Sequence, residues 1–218
     1  MKLDLLNTTS ADFRKLMCDI QDNFSKEEVY ERERSFVAAS KTGLQTWGYL
    51  KKLMALLEAE DFCELESQTM FSVSSWASSL ASNLHNAAIK NVNFVEHKYI
   101  FCKEYVEMHE DFLDKELPNL GNVRRALGDC YMDRGDLETG DILYTKWLEQ
   151  EPDWGWGWIG WSDCYWLFHG KNKQNLIKAK NILERGLEIQ KVKSKDVMQE
   201  RLEELKNRIV NPVELSNR

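Results

Sequence analysis

Near the end of the chain Val197, Met198, Leu202, Leu205 and Ile209 return every three or four residues, with Glu200, Glu203, Glu204 and Lys206 between them. This spacing predicts an amphipathic helix from Lys195 to Val210, capped by Ser194. Leu44, Trp47, Leu50, Lys51, Met54 and Leu57 outline a similar face earlier, and Ser10 and Ser25 are placed to cap helices over about 10–23 and 25–41. Trp76 to Asn91 and Phe94 to Lys115 read as an antiparallel pair broken at Val92-Asn93, with Leu84, Ala88, Phe94 and Phe101 in register. The segment Pro118-Asn119-Leu120-Gly121 stops its second helix. Only 3 prolines and 11 glycines punctuate 218 residues, so the expected fold class is all-α.

A second pattern lies on top of the helical one. Asp129-Cys130-Tyr131 returns as Asp163-Cys164-Tyr165 after 34 residues, and at the same offset Leu127 falls over Trp161 and Gly121 over Gly155. Within the first of these units Leu127, Gly128, Tyr131, Gly140, Tyr144, Trp147 and Pro152 stand at fixed intervals, and Gly135-Asp136 supplies a turn between two helices. Small residues at 128 and 140 let the paired helices cross closely. In the second unit Trp158, Trp161, Ser162 and Tyr165 mark the first helix, and Ala179, Leu183 and Gly186 the inner face of the second. They are joined by the longer turn Lys171 to Asn175.

Period and positions together resemble the tetratricopeptide family, strongly over 121–152, well over 153–190 and weakly over 72–117, where His97 and Glu104 occupy small-residue positions. The resemblance implies a short right-handed solenoid of helix pairs over 72–193. Residues 1–71 are expected to form a helical segment packed ahead of the pairs, 194–211 the solvating cap that a solenoid requires, and 212–218 a tail. It also implies that the first helices line a concave groove. Carried over position by position, the groove residues are Asn122, Arg125, Asp129, Met132 and Asp133, then Trp156, Ile159, Asp163, Trp166 and Leu167. Half acidic and half aromatic, such a groove suits an apolar peptide or partner helix bearing a few basic residues. The family's clamp for a C-terminal carboxylate, built of Lys, Asn and Arg, is not reproduced at these positions.

The run Trp154-Gly155-Trp156-Gly157-Trp158-Ile159-Gly160-Trp161 holds more tryptophan than one helix needs for packing. Trp158 and Trp161 are expected to face the core, which leaves Trp154 and Trp156 either as anchors for a partner or a second copy of the chain, or packed on the preceding unit or the N-terminal helices. Expected partners are therefore a protein or peptide, with a homodimer as a further possibility.

Composition narrows the function from the other side. A net charge of −7 with interspersed Lys and Arg argues against nucleic acid, and no run approaches the ~18 apolar residues that would span a membrane. The apolar start at Leu3 to Leu6 turns polar at Asn7, too soon for a signal peptide, so the expected location is cytoplasmic. Five cysteines without a C-x-x-C pair read as small buried hydrophobes, with no zinc site. His85, His97, His109 and His169 occupy no ligand spacing, and His97, Glu104 and Asp111, at seven-residue steps, read as an interhelical polar stripe. With no phosphate-binding or nucleophile motif present either, the chain is expected to be a non-catalytic scaffold or adaptor without cofactor or metal. The rival readings are a peptide-sensing regulator acting through its N-terminal helices, and a helical hydrolase or metal enzyme.

Overall fold

The computed structural model describes residues 11–59, 62–69, 71–109, 119–167 and 175–211. All the regular structure among them is helical, in ten helices that form two compact units, residues 1–123 and 124–218.

The first unit contains α1 (Ala11–Arg32), α2 (Phe36–Leu57), α3 (Phe62–Thr69), α4 (Val73–Lys90) and α5 (Asn93–Glu107). The expected break before Ser25 does not occur. The Ser25 hydroxyl instead donates back to the carbonyl of Gln21 at 3.1 Å, so a residue suited to capping is satisfied in mid-helix. The chain turns instead at Arg34, which adopts φ 55°, so the helix expected over 25–41 is divided between α1 and α2, and α2 continues through the next expected face to Leu57. Ser10 lies outside the described residues. The predicted break at Val92-Asn93 is present, with the Asn91 side chain accepting from the amide of Asn93 at 3.1 Å.

Aromatic packing holds this unit together. Trp47 of α2 meets Phe101 of α5 edge-on at 5.2 Å and stacks on Trp76 of α4 at 6.3 Å, while Phe62 of α3 stacks on Tyr105 at 5.5 Å. Because α4 buries Trp76, Ala77 and Leu80 among these helices, the pair α4–α5 belongs to the same compact unit as the N-terminal helices. The unit boundary therefore falls at 123/124 instead of ahead of residue 72.

The second unit takes in most of α6 (Leu120–Asp133), then α7 (Leu137–Gln150), α8 (Gly155–Asp163), α9 (Leu176–Leu187) and α10 (Lys195–Val210). Gly135 turns the chain between α6 and α7 at φ 84°, and Asp136 caps α7 by accepting from the amide of Thr139 at 3.1 Å. The close crossing expected at Gly128 is present, since a Cβ there would lie 2.5 Å from the ring of Tyr144. Asn175 caps α9 through the amide of Lys178 at 3.0 Å. The rest of the turn before it, 171–174, lies outside the described residues.

Helix α10 packs Met198, Leu202 and Leu205 against α8 and α9. Its start differs from the expected cap. Ser194 sits in the left-handed region at φ 56° and makes no side-chain capping bond, because the chain enters the helix tied by the Lys193 amide to the carbonyl of Asp153 at 2.8 Å.

Candidate functional site

Arg125, Asp129 and Asp133 follow one another at four-residue steps on α6 and so share a face. The Arg125 guanidinium lies over the ring of Trp156 at 5.1 Å, a cation–π contact between α6 and α8. Gly160 makes this approach possible: a Cβ there would stand 2.9 Å from Arg125 Nε and 3.1 Å from the Tyr144 hydroxyl. Asp129 Oδ1 accepts from the Cys164 thiol at 3.4 Å. Burial, and then the Asp129 charge, push that thiol's pKa well up, so Cys164 stays protonated and unreactive.

Trp156 is 41% exposed, while Trp158 and Trp161 are buried as their spacing predicts. Trp154 is half-buried and folds beneath Gly157, where a Cβ would lie 2.2 Å from its ring. Arg125 and Asp129 are half-buried, Asp133 and Asn122 exposed, and Leu167 half-buried. Asn122 donates to the Ser78 hydroxyl at 3.0 Å.

The remaining expected groove residues are interior. Met132, Ile159, Asp163 and Trp166 are at most 5% exposed, which corrects their assignment as accessible anchors and selectors. Met132 fills the space over Gly140, where a Cβ would meet its methyl carbon at 2.7 Å. Trp166 lies beneath Arg208 at 4.7 Å and Arg201 at 6.0 Å, and its indole donates to Asp163 at 3.1 Å. Arg201 also faces the Asp163 carboxylate at 3.9 Å. Burial raises the Asp163 pKa to about 6, against the opposing pull of Arg201, the Trp166 bond and Arg125. Thus α10 occupies the face that repeat positions assign to a ligand in the second unit. Two arginines seven residues apart beside the apolar stripe of α10 were the sequence signal for this.

Other polar groups serve packing. Asp141 of α7 accepts from Trp161 Nε1 and the Tyr165 hydroxyl, each at 2.6 Å, and pairs with Lys178 of α9. In the first unit Glu104 accepts from Trp47 Nε1 and Lys51 Nζ, each at 2.7 Å. Burial acts to raise its pKa, but these two bonds hold it below the usual range. The expected polar stripe is therefore interhelical at Glu104, and Asp111 lies outside the described residues. Beside Glu104 a depression of 360 Å³ is lined by Lys51, Glu104, Glu107 and Met108.

His109 is buried, with Nδ1 2.6 Å from the carbonyl of Tyr105, and His169 lies outside the described residues. Cys102, Cys130 and Cys164 are buried thiols, whereas Cys18 is exposed, contrary to expectation, because it falls on the outer face of α1, and the side chain of Cys63 lies outside what the structure describes. Among the described residues no group of three or more potential ligands could hold a metal ion, and no helix is long and apolar enough to cross a membrane. Comparison with protein-family models, curated proteins and solved structures finds no match to this chain.

Proposed function

We propose that this chain is a non-catalytic interaction module of tetratricopeptide-type helix pairs that binds a peptide or partner helix over α6 and α8. Its contact residues are Trp156, Arg125, Asp129 and Asp133. The observation that carries this reading is the 41% exposure of Trp156, the one exposed tryptophan among the described residues, on a ring already oriented by Arg125 at 5.1 Å. An oriented indole loses little conformational freedom on binding, and tryptophan and arginine dominate the energetics of protein interfaces. Asp129 and Asp133, one helical turn apart, add carboxylates that select a basic side chain and reject an acidic one.

The interior position of Trp166 and Ile159 shortens the expected groove and concentrates recognition on Trp156. The reading extends to a scaffold or adaptor in the cytoplasm.

The test compares partners captured by the wild type, by Trp156→Ala and by Ile142→Ala, each verified as folded by circular dichroism. Ile142 is 59% exposed on α7 and controls for loss of any exposed apolar side chain. A partner retained by Ile142→Ala and lost from Trp156→Ala supports the site. Identical partner lists from all three proteins overturn it.

A further inference from the structure

Glu27 of α1 is 4% exposed in the interior of the first unit. Its Oε1 lies 2.8 Å from the Thr46 hydroxyl of α2, and its Oε2 accepts from Trp76 Nε1 of α4 at 3.0 Å. The carboxyl fits there because residue 43 is glycine: a Cβ at that position would lie 2.9 Å from Oε2 and 2.5 Å from Leu80 Cδ1. The groups facing Glu27 from α2 and α4 are thus the neutral Thr46, Gly43 and Trp76. The charged group that bears on it is Glu31, one turn further along α1, whose carboxylate accepts from Asn83 at 2.6 Å. A buried carboxylate set among neutral donors and beside a like charge is costly.

The hydrogens around Thr46 point the same way. Its oxygen lies 2.8 Å from Glu27 Oε1 and 3.0 Å from the carbonyl of Thr42, yet a hydroxyl has one proton to give. Both contacts become hydrogen bonds when Glu27 carries a proton and donates to Thr46, which in turn donates to Thr42. An ionised Glu27 must take the Thr46 proton and leave the Thr42 contact without one. We propose that Glu27 is a proton-controlled latch, which ties α1 to α2 and α4 while its carboxyl is neutral and loosens α1 when it ionises.

Burial places the changeover at about pH 7, with the Thr46 and Trp76 bonds opposing and Glu31 adding to the upward shift. Loosening α1 withdraws Phe24, whose ring lies 5.3 Å from Phe71 and 5.9 Å from Trp76, and so uncovers the rings of Phe71 and of Trp76 on α4.

The test uses the full chain with 13C-labelled glutamate side chains, followed by NMR from pH 4 to 9 together with amide exchange along α1 corrected for intrinsic rates. Glu27→Gln identifies the Glu27 signal and preserves the geometry without a titrating group. The expected result is a Glu27 midpoint near 7 and opening of α1 that rises about tenfold per pH unit from the ordinary carboxylate range near 4 up to that midpoint and levels off above it. In Glu27→Gln that rise is absent. A midpoint in the ordinary carboxylate range near 4, or α1 exchange with the same pH response in both proteins, overturns the latch. Should the variant fail to fold, the wild type decides alone, because opening of α1 that does not level off at the Glu27 midpoint refutes the proposal.

Discussion

Arg201 of α10 faces the buried carboxyl of Asp163 of α8 across 3.9 Å, and Asp163 nevertheless has a pKa raised to about 6. Desolvation outweighs the guanidinium at this distance, so the folded unit prefers the neutral acid. A folded-state pKa above the unfolded one gives stability that is fully present below the unfolded value and is lost as pH rises through the folded value. Asp163 therefore destabilises the fold progressively from about pH 4 to pH 6, by roughly 3 kcal/mol in total. Urea unfolding over this range should show that much slope in the wild type relative to Asp163→Asn. Arg201→Ala, lacking the opposing charge, should extend the upper end of the window to higher pH.

Arg124 and Glu151 form an ion pair of unequal burial, with side chains 3% and 51% exposed, and the guanidinium also lies 5.9 Å from the Trp147 ring. Removing the exposed partner strands a buried cation, whereas removing the cation leaves a carboxylate already in water. Glu151→Ala is accordingly expected to cost about 2 kcal/mol, and Arg124→Met, which keeps the apolar stem over Trp147, about 1 kcal/mol or less. Denaturant midpoints in the opposite order would contradict the assignment.

Asp141 gathers three donors, Trp161, Tyr165 and Lys178, and the first two are buried. Asp141→Ala leaves an indole N–H and a phenol without their acceptor, at a cost of about 2–4 kcal/mol. Asp141→Asn keeps one acceptor oxygen and should cost about half as much. The two variants should rank in this way in equilibrium unfolding followed by tryptophan fluorescence, and equal costs would remove Asp141 from the packing of α7 against α8 and α9.

Features of local origin were legible in the sequence. The break at Val92-Asn93, the Gly135-Asp136 turn and the inward spacing of Trp158 and Trp161 depend on neighbours within one or two turns. The same spacing rule left Trp154 and Trp156 outside, of which Trp156 is exposed while Trp154 folds beneath Gly157. What escaped was set by partners distant in sequence. Trp166 and Asp163 looked like groove residues because the count of repeat positions says nothing about α10 lying on them. Glu27, within Lys26-Glu27-Glu28, reads as part of a solvated helix face. Only Gly43 and Thr46, on another helix, reveal that it points inward. Ser25 shows the converse limit, since capping residues are also tolerated in mid-helix when a carbonyl four residues back accepts their hydroxyl.

Two glycines of α8 separate a steric requirement that can relax from one that cannot. A Cβ at position 155 would lie 1.8 Å from the backbone carbonyl oxygen of Lys193, and that segment is fixed by the Lys193 amide bond to Asp153. At position 160 the obstacle is the side chain of Arg125, at 2.9 Å, backed by the Tyr144 hydroxyl at 3.1 Å. Arginine can swing away, whereas backbone has to move with α10 attached. Gly155→Ala should therefore destabilise the unit by at least about 3 kcal/mol, and Gly160→Ala by about 1–2 kcal/mol. The milder variant has a second consequence, because displacing Arg125 removes the cation from the face of Trp156. Its tryptophan emission should shift relative to the wild type while helicity by circular dichroism is unchanged. If Gly155→Ala proves the milder of the two, the junction of Lys193 with Asp153 is looser than its hydrogen bond implies.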